Sequence, residues 1–189
     1  MDSCERQAQE ELQAQKQITA IYQGKLIKVD KEEYTTSLGP VVTDIVTHPG
    51  AVGIIPILDD GKIILIRQWR RAVKEVLLEI PAGTLEEGED PAVCAMRELQ
   101  EETGYRAATL KPLSMIYTCP GFCTERIYLF AAYGLTKDPL VCDDHEVIEV
   151  VPMSLEDLHK LIAAGSVTDS KTISAISLFK AQQAAGALP

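Results

Sequence analysis

The segment 91–104, P-A-V-C-A-M-R-E-L-Q-E-E-T-G, constrains the fold more than any other stretch. Pro91 suits a first helical turn, where its missing N–H costs nothing, and Gly104 suits the left-handed position beyond the last turn. Between them Ala92, Ala95, Met96 and Leu99 recur at i, i+3, i+4 and i+7, which makes one apolar stripe on a helix over 91–102. Glu98, Glu101 and Glu102 lie off that stripe and share one side of the helix. Each like-charge pair of this kind costs a helix about 0.2–0.5 kcal/mol, so the arrangement opposes stability.

Around this helix the chain reads as β. The runs I-Y-Q-G-K-L-I-K-V, E-E-Y-T-T-S and V-V-T-D-I-V, separated by Asp, Gly and Pro signals, predict a small antiparallel meander. A-V-G-I-I-P-I-L, joined through Asp60-Gly61 to K-I-I-L-I-R-Q-W, predicts a hairpin, and E-V-L-L-E-I follows, ending at Pro81. After the helix, S-M-I-Y-T, R-I-Y-L-F-A-A-Y and V-I-E-V-V-P-M read as strands. Two helices close the chain, one with a capping-box pattern from Ser154 to Asp157 and an end near Gly165, the other over 170–184. Strands on both sides of one internal helix, with helices at the end, predict an α+β fold with a mixed sheet. The Glu/Gln/Ala-rich opening, to about Lys16, is a surface helix or a frayed tail. The expected organisation is a tail and meander over 1–44 and a main domain over 45–189; a chain of 189 residues, 46% hydrophobic, is long enough for one such core.

A formal net charge of -10 repels phosphate backbones and anionic lipid, so neither nucleic acid nor a membrane is expected as a partner. The longest apolar run, 51–58, falls short of a membrane span, and the polar opening lacks the apolar core of a signal peptide. Five cysteines without paired C-x-x-C knuckles support neither a disulfide framework nor a zinc site. They read as buried, inert thiols in a reducing cytoplasm.

Taken alone, the glutamates of 97–102 would be a solvated helix face. The approach, I-P-A-G-T-L-E-E-G-E, adds Glu86, Glu87 and Glu89 to the same acidic patch and brings no His or Cys. A hard divalent cation reverses the sign of that repulsion, since magnesium takes oxygen ligands and bridges a few carboxylates to substrate phosphates. The absence of nitrogen and sulfur ligands argues against zinc.

Gly83, Glu89 and the run Arg97-Glu98-Leu99-Gln100-Glu101-Glu102-Thr103-Gly104-Tyr105 resemble the Nudix box, G-x5-E-x7-R-E-U-x-E-E-x-G-U, at every fixed position, with Tyr105 a loose fit at the last bulky apolar place. The resemblance runs from about Gln23 to Gln182. It implies an α/β/α sandwich with a mixed central sheet and a loop–helix–loop that binds Mg2+ or Mn2+ and hydrolyses a nucleoside diphosphate linked to another moiety. It further implies that Glu98, Glu101, Glu102 and the backbone carbonyl of Ala82 hold metal, while Gly83, Glu89 and Arg97 support the geometry.

The flanks H-P-G-A-V-G-I-I-P-I, L-I-R-Q-W-R and L-L-E-I-P-A-G, with Pro120 sixteen residues after Gly104, resemble the ADP-ribose pyrophosphatase subfamily. That likeness implies that Arg70 contacts the substrate diphosphate and that Glu79, Pro120 and Glu125 lie near the substrate. It places the catalytic base on the acidic loop 142–149, C-D-D-H-E-V-I-E, with Glu146 first and Asp144 second, acting beside Glu102. His145 reads as a solvated loop residue, His48 as a turn or strand-end residue, and Trp69 as core or interface. The implied reaction converts ADP-ribose and water to AMP and ribose 5-phosphate. Hydrolysis of a GDP- or UDP-hexose is the near alternative, and a non-catalytic ADP-ribose-binding module is the alternative of another class. The full set Arg97, Glu98, Glu101 and Glu102 argues against the silent module. The resemblance also implies a homodimer in which the 18–44 meander is exchanged.

Overall fold

The computed structural model describes residues 2–140 and 147–188. The chain divides into two compact units, Met1–Pro49 with Cys119–Glu125, and Gly50–Thr118 with Arg126–Pro189.

In the smaller unit, helix α1 (Ser3–Gln13) precedes β1 (Gln17–Gln23), β2 (Lys28–Thr36) and β3 (Gly39–Thr47), which form an antiparallel sheet in that order. The opening is therefore helical rather than frayed. Asp2 and Glu5 close a reciprocal capping box, and α1 is tied to the meander by Tyr34 Oη donating to Glu11 Oε2 at 2.9 Å. The expected first strand over 21–29 splits in two, because Gly24 N–H donates to Ile27 O at 2.9 Å and turns the chain. A Cβ at Gly24 would fall 2.5 Å from Tyr22 Oη, so a larger residue there would have to displace the end of the exposed Tyr22 side chain. Asp30, read as a break signal, instead lies within β2, paired with Ala20 on one side and Ile45 on the other. Residues 119–125 join the same unit through Val46 N–H to Phe122 O at 2.7 Å and Thr124 N–H to Val46 O at 2.9 Å.

The larger unit contains β4 (Ala51–Pro56), β5 (Ile63–Arg70), β6 (Glu75–Glu79), β7 (Ala82–Thr84), α2 (Pro91–Thr103), β8 (Tyr105–Tyr117), β9 (Arg126–Lys137), β10 (Ile148–Met153), α3 (Leu155–Ala163) and α4 (Ser170–Ala184). One sheet runs β7-β4-β9-β8 and is mixed, since β4 and β9 are parallel and the other pairs antiparallel; a second, antiparallel sheet runs β10-β5-β6. The Asp60-Gly61 turn forms as expected, with Gly61 at φ 79° and its N–H on Leu58 O at 2.9 Å. The hairpin does not continue: beyond the single bridge Ile57 to Ile63, β4 and β5 enter different sheets. Ile57 N–H donates to Ala132 O at 2.9 Å, keeping the end of β4 on β9.

Alternation along β4 and β9 builds two cores. Val52, Ile54, Phe130 and Ala132 pack with Cys94, Ala95 and Leu99 of α2. Ile55, Ile127, Leu129 and Ala131 pack with Leu158 of α3 and Ala175, Ile176 and Phe179 of α4. Because neighbouring strand residues point to opposite faces, helices cover both sides of the mixed sheet, which is the expected α/β/α sandwich. The helix stripe is rotated from its predicted phase: Ala92 is exposed and Cys94 is buried beside Ala95 and Leu99. Among the described residues, no helix is long and apolar enough to cross a membrane.

Candidate functional site

The loop 85–90 between β7 and α2 is built by local chemistry. Asp90 caps α2, accepting from Ala92 N–H at 2.8 Å, Pro91 opens the first turn, and Gly104 ends the helix at φ 73° with its N–H on Gln100 O. Glu89 holds the loop from both sides. Its carboxylate accepts from Glu86 N–H at 3.0 Å and forms a two-point pair with Arg97, Nε to Oε1 at 3.1 Å and Nη2 to Oε2 at 3.0 Å. The Arg97 guanidinium beside it brings the Glu89 carboxyl down to about 2.

Arg97 also donates through Nη1 to Glu98 Oε1 at 2.6 Å and to Glu101 Oε2 at 3.1 Å. One cation thus serves three carboxylates. Hydrogen bonds to charged groups contribute about 1.5–3 kcal/mol, against about 0.2–0.5 kcal/mol for each like-charge helix pair. The repulsion inferred from the bare spacing is therefore offset within the protein itself.

The remaining contacts draw the helix onto β7. Glu102 is 6% exposed, and its Oε2 accepts from Ala82 N–H at 2.8 Å. The Glu98 carboxylate rests on Gly83, where a Cβ would meet Glu98 Cδ at 1.9 Å. Glycine at 83 is thus a matter of space for a carboxylate.

These residues fit a hard divalent cation by donor chemistry. The three glutamates, with the adjoining Ala82 peptide, offer oxygen alone, and the neighbouring Cys94 thiol is pushed up by burial, away from the thiolate a soft metal takes. Among the described residues, no three His, Cys, Asp or Glu side chains converge as a metal-binding group. Glu98 and Glu101 are directed to Arg97, and Glu102 to the Ala82 amide.

Arg70, at the end of β5, forms a fork with Glu79, Nε to Oε1 at 2.8 Å and Nη2 to Oε2 at 2.7 Å. Glu79 is wholly enclosed, so it stands behind Arg70. Burial alone would raise the Glu79 carboxyl, but Arg70 and Lys171 outweigh it and hold the group below its ordinary value. The Glu79 hydrogen bond, with the charges of Glu79, Glu102 and Asp169, raises Arg70.

Lys171, Asp169 and Thr172 are site residues that no motif in the sequence marks. Lys171 bonds Glu79 Oε2 and, at 3.0 Å, Asp169 Oδ1. Asp169 caps α4 through Thr172 N–H at 3.0 Å, and Thr172 Oγ1 accepts from Ile80 N–H at 2.9 Å. One signal was available, since a lysine in a first helical turn sits at the positive end of the helix dipole and calls for an anion.

Pro120 and Glu125 belong to the smaller unit. Pro120 lies in a turn closed by Cys123 N–H on Cys119 O at 2.9 Å, and Glu125 Oε1 stands 3.7 Å from His48 Nδ1. His48 directly follows the end of β3, in keeping with the expected turn or strand-end position, its N–H on Thr124 Oγ1 at 3.0 Å. Glu146, Asp144 and His145, together with Cys142, lie outside the described residues. Of the two places expected for Trp69, core or interface, its 51% exposure excludes the core. The expectation of buried thiols changes: Cys94 is buried, but Cys4 and Cys119 are exposed, because α1 and the 119–123 turn offer them no enclosing layer.

Comparison with known proteins bears on this geometry. The chain is 40% identical over 167 residues to a protein named ADP-ribose pyrophosphatase from Bacillus subtilis (strain 168), covering 87% of this chain and 90% of the relative. It is 36% identical over 167 residues, with the same coverage, to a protein named methanol dehydrogenase activator from Bacillus methanolicus. A solved structure titled as an ADP compounds hydrolase shares the fold, with a TM-score of 0.81 over 93% of this chain and 97% of that chain, at 23% identity. The NUDIX domain profile matches residues 47–175, which include Gly83, Glu89 and the acidic helix with its Arg97 clasp, and the chain belongs to the NUDIX domain family.

Proposed function

We propose that the chain hydrolyses ADP-ribose, with a divalent cation, to AMP and ribose 5-phosphate. The observation that carries this reading is the packing of Glu98 and Glu102 onto Ala82 and Gly83, which gathers acidic oxygens on one strand–loop–helix. Acidic oxygens for a cation then come from the β7–loop–α2 segment, and a guanidinium edge for phosphate from Arg70 at the end of β5. The 40% identity to a protein named ADP-ribose pyrophosphatase supports this choice of substrate.

In this reading Glu98, Glu101, Glu102 and the Ala82 carbonyl hold Mg2+, or Mn2+ in its place. Such an ion, when bound, neutralises charge on the diphosphate and lowers the pKa of an attacking water. Arg70 binds and orients the diphosphate, and Glu79 keeps its guanidinium in place. Arg97 and Glu89 hold the loop and aim Glu98 and Glu101. Glu146, or Asp144 in its place, takes the proton from the water. The water oxygen joins one phosphorus as the bridging P–O bond breaks, leaving AMP and ribose 5-phosphate. Pro120 and Glu125 are assigned to the substrate on the resemblance alone.

The homodimer is part of the proposal. Every residue of β1 is exposed, and Ile18, Ile21 and Tyr22 keep more than half of their surface in solvent, which favours cover by a second copy. Light scattering at micromolar concentration is expected to give the dimer mass, and a monomer would overturn it. A cytoplasmic setting accords with exposed thiols at Cys4 and Cys119.

The test is a comparison of initial rates on ADP-ribose, a GDP-hexose and a UDP-hexose, each with Mg2+ and with chelator. ADP-ribose is expected to turn over fastest and only with the ion. Rapid hexose-nucleotide turnover beside negligible ADP-ribose turnover would transfer the assignment to a nucleotide-sugar hydrolase. No turnover of any of them, with ADP-ribose still bound, would leave the silent binding module.

A further inference from the structure

Lys171 is 8% exposed and lies in the first turn of α4, with its ammonium between Glu79 Oε2 and Asp169 Oδ1. Burial and the helix dipole both disfavour a cation there. An apolar side chain would fill the position without those costs, so the charge itself calls for an explanation.

The contacts form one chain. Arg70 gives Nε and Nη2 to the two oxygens of Glu79, which turns its Nη1 edge away from that carboxylate. Glu79 Oε2 is shared with Lys171, Lys171 with Asp169, and Asp169 is fixed to the α4 backbone through Thr172 N–H. Thr172 Oγ1 in turn holds Ile80 N–H, next to Glu79. The α4 N-terminus thus anchors both the Glu79 carboxylate and the backbone beyond it. Two cations and two anions balance within the chain, so Arg70 keeps a fixed partner although the Glu102 charge also acts on it.

We propose that Lys171 is a positioning residue which, through Glu79, sets the plane in which Arg70 presents its guanidinium to the substrate diphosphate. This rests on the reading of Arg70 as the diphosphate-binding residue. Lys171 pins one carboxylate oxygen, and a pinned carboxylate fixes the fork that faces it.

The experiment is a double-mutant cycle on the whole protein with K171M, R70Q and the double variant. The readouts are the Kd of an ADP-ribose analogue with a methylene bridge in the diphosphate, by calorimetry in Mg2+ buffer, and KM and kcat for ADP-ribose. K171M is expected to weaken analogue binding and raise KM about tenfold with kcat within about threefold, and the double variant to be no weaker than R70Q within about twofold. K171R is expected to restore binding, since its charge still meets Glu79. A lower Tm with unchanged Kd would make Lys171 merely structural, and additive losses in the cycle would separate it from Arg70; either result overturns the proposal. Unchanged binding in R70Q would instead remove the diphosphate role of Arg70, and the proposal with it. Should K171M fail to fold, K171Q, which keeps a donor but no charge, replaces it in the same cycle with the same outcomes.

Discussion

The Ala82 N–H donates to the Glu102 carboxylate at 2.8 Å, so the strand before the acidic loop is joined to the last turn of the helix after it. In E102Q a neutral amide oxygen can still accept from Ala82, while the negative charge is gone. The fold should survive, with Tm within a few degrees of wild type, and Mg2+-dependent kcat/KM should fall about a hundredfold or more. Undiminished turnover in E102Q would refute the metal assignment.

Gly83 gives a complementary test from the other side of the contact. Its φ is ordinary, so alanine introduces no backbone strain, but the added methyl takes the space of the Glu98 carboxylate. The displaced group is the far end of a flexible side chain, which can swing away without unfolding the domain. G83A is expected to keep its Tm and to lose activity about tenfold or more, since misplacement of about 1 Å at a site can cost a hundredfold. A variant with normal kcat/KM would show that the position of Glu98 against Gly83 does not matter to the chemistry.

What the sequence disclosed divides by range. Helix α2 and the Asp60-Gly61 turn were legible because Pro91, Gly104 and Gly61 act within a few residues. The separation of β4 from β5 was not, because it depends on β9 lying beside β4 and on the Ile57 to Ala132 hydrogen bond, a choice of partner that no local pattern encodes. The same distance hid Lys171, which meets Glu79 from the far end of the chain. Arg97 was visible beside the glutamates, yet helix spacing describes only which residues share a side, and the rotamer that lets one guanidinium serve Glu89, Glu98 and Glu101 emerges from packing. Glu79 and Arg70 were both singled out, but only burial shows that the acid stands behind the base.

Glu89 should leave a mark on the pH dependence of stability. Arg97 lowers its folded value to about 2 from an ordinary 4.5, so the ionised group stabilises the fold fully above pH 4.5. That contribution is lost as pH falls from 4.5 through 2. E89Q lacks it at every pH. Chemical denaturation at pH 7, 4.5, 3 and 2 is therefore expected to show E89Q less stable at pH 7, with the gap to wild type closing across the acidic window. A gap of constant size down to pH 2 would mean that the pair with Arg97 carries no ionic stabilisation.

Thr172 isolates the structural part of the α4 anchor from its charges. The residue is fully buried, its Oγ1 accepts from Ile80 N–H at 2.9 Å, and it donates to Asp169 Oδ2 at 2.5 Å. Valine has nearly the same shape but neither bonding capacity, so T172V leaves an enclosed backbone N–H without its acceptor, at a cost of about 1–3 kcal/mol. T172S keeps the hydroxyl and gives up one methyl, at about 1 kcal/mol. Urea melts of the two variants should therefore rank T172V below T172S, against the order that apolar burial alone would give. The reverse order would show that Ile80 finds another acceptor and that the α4 N-terminus does not hold the strand leading into the acidic loop.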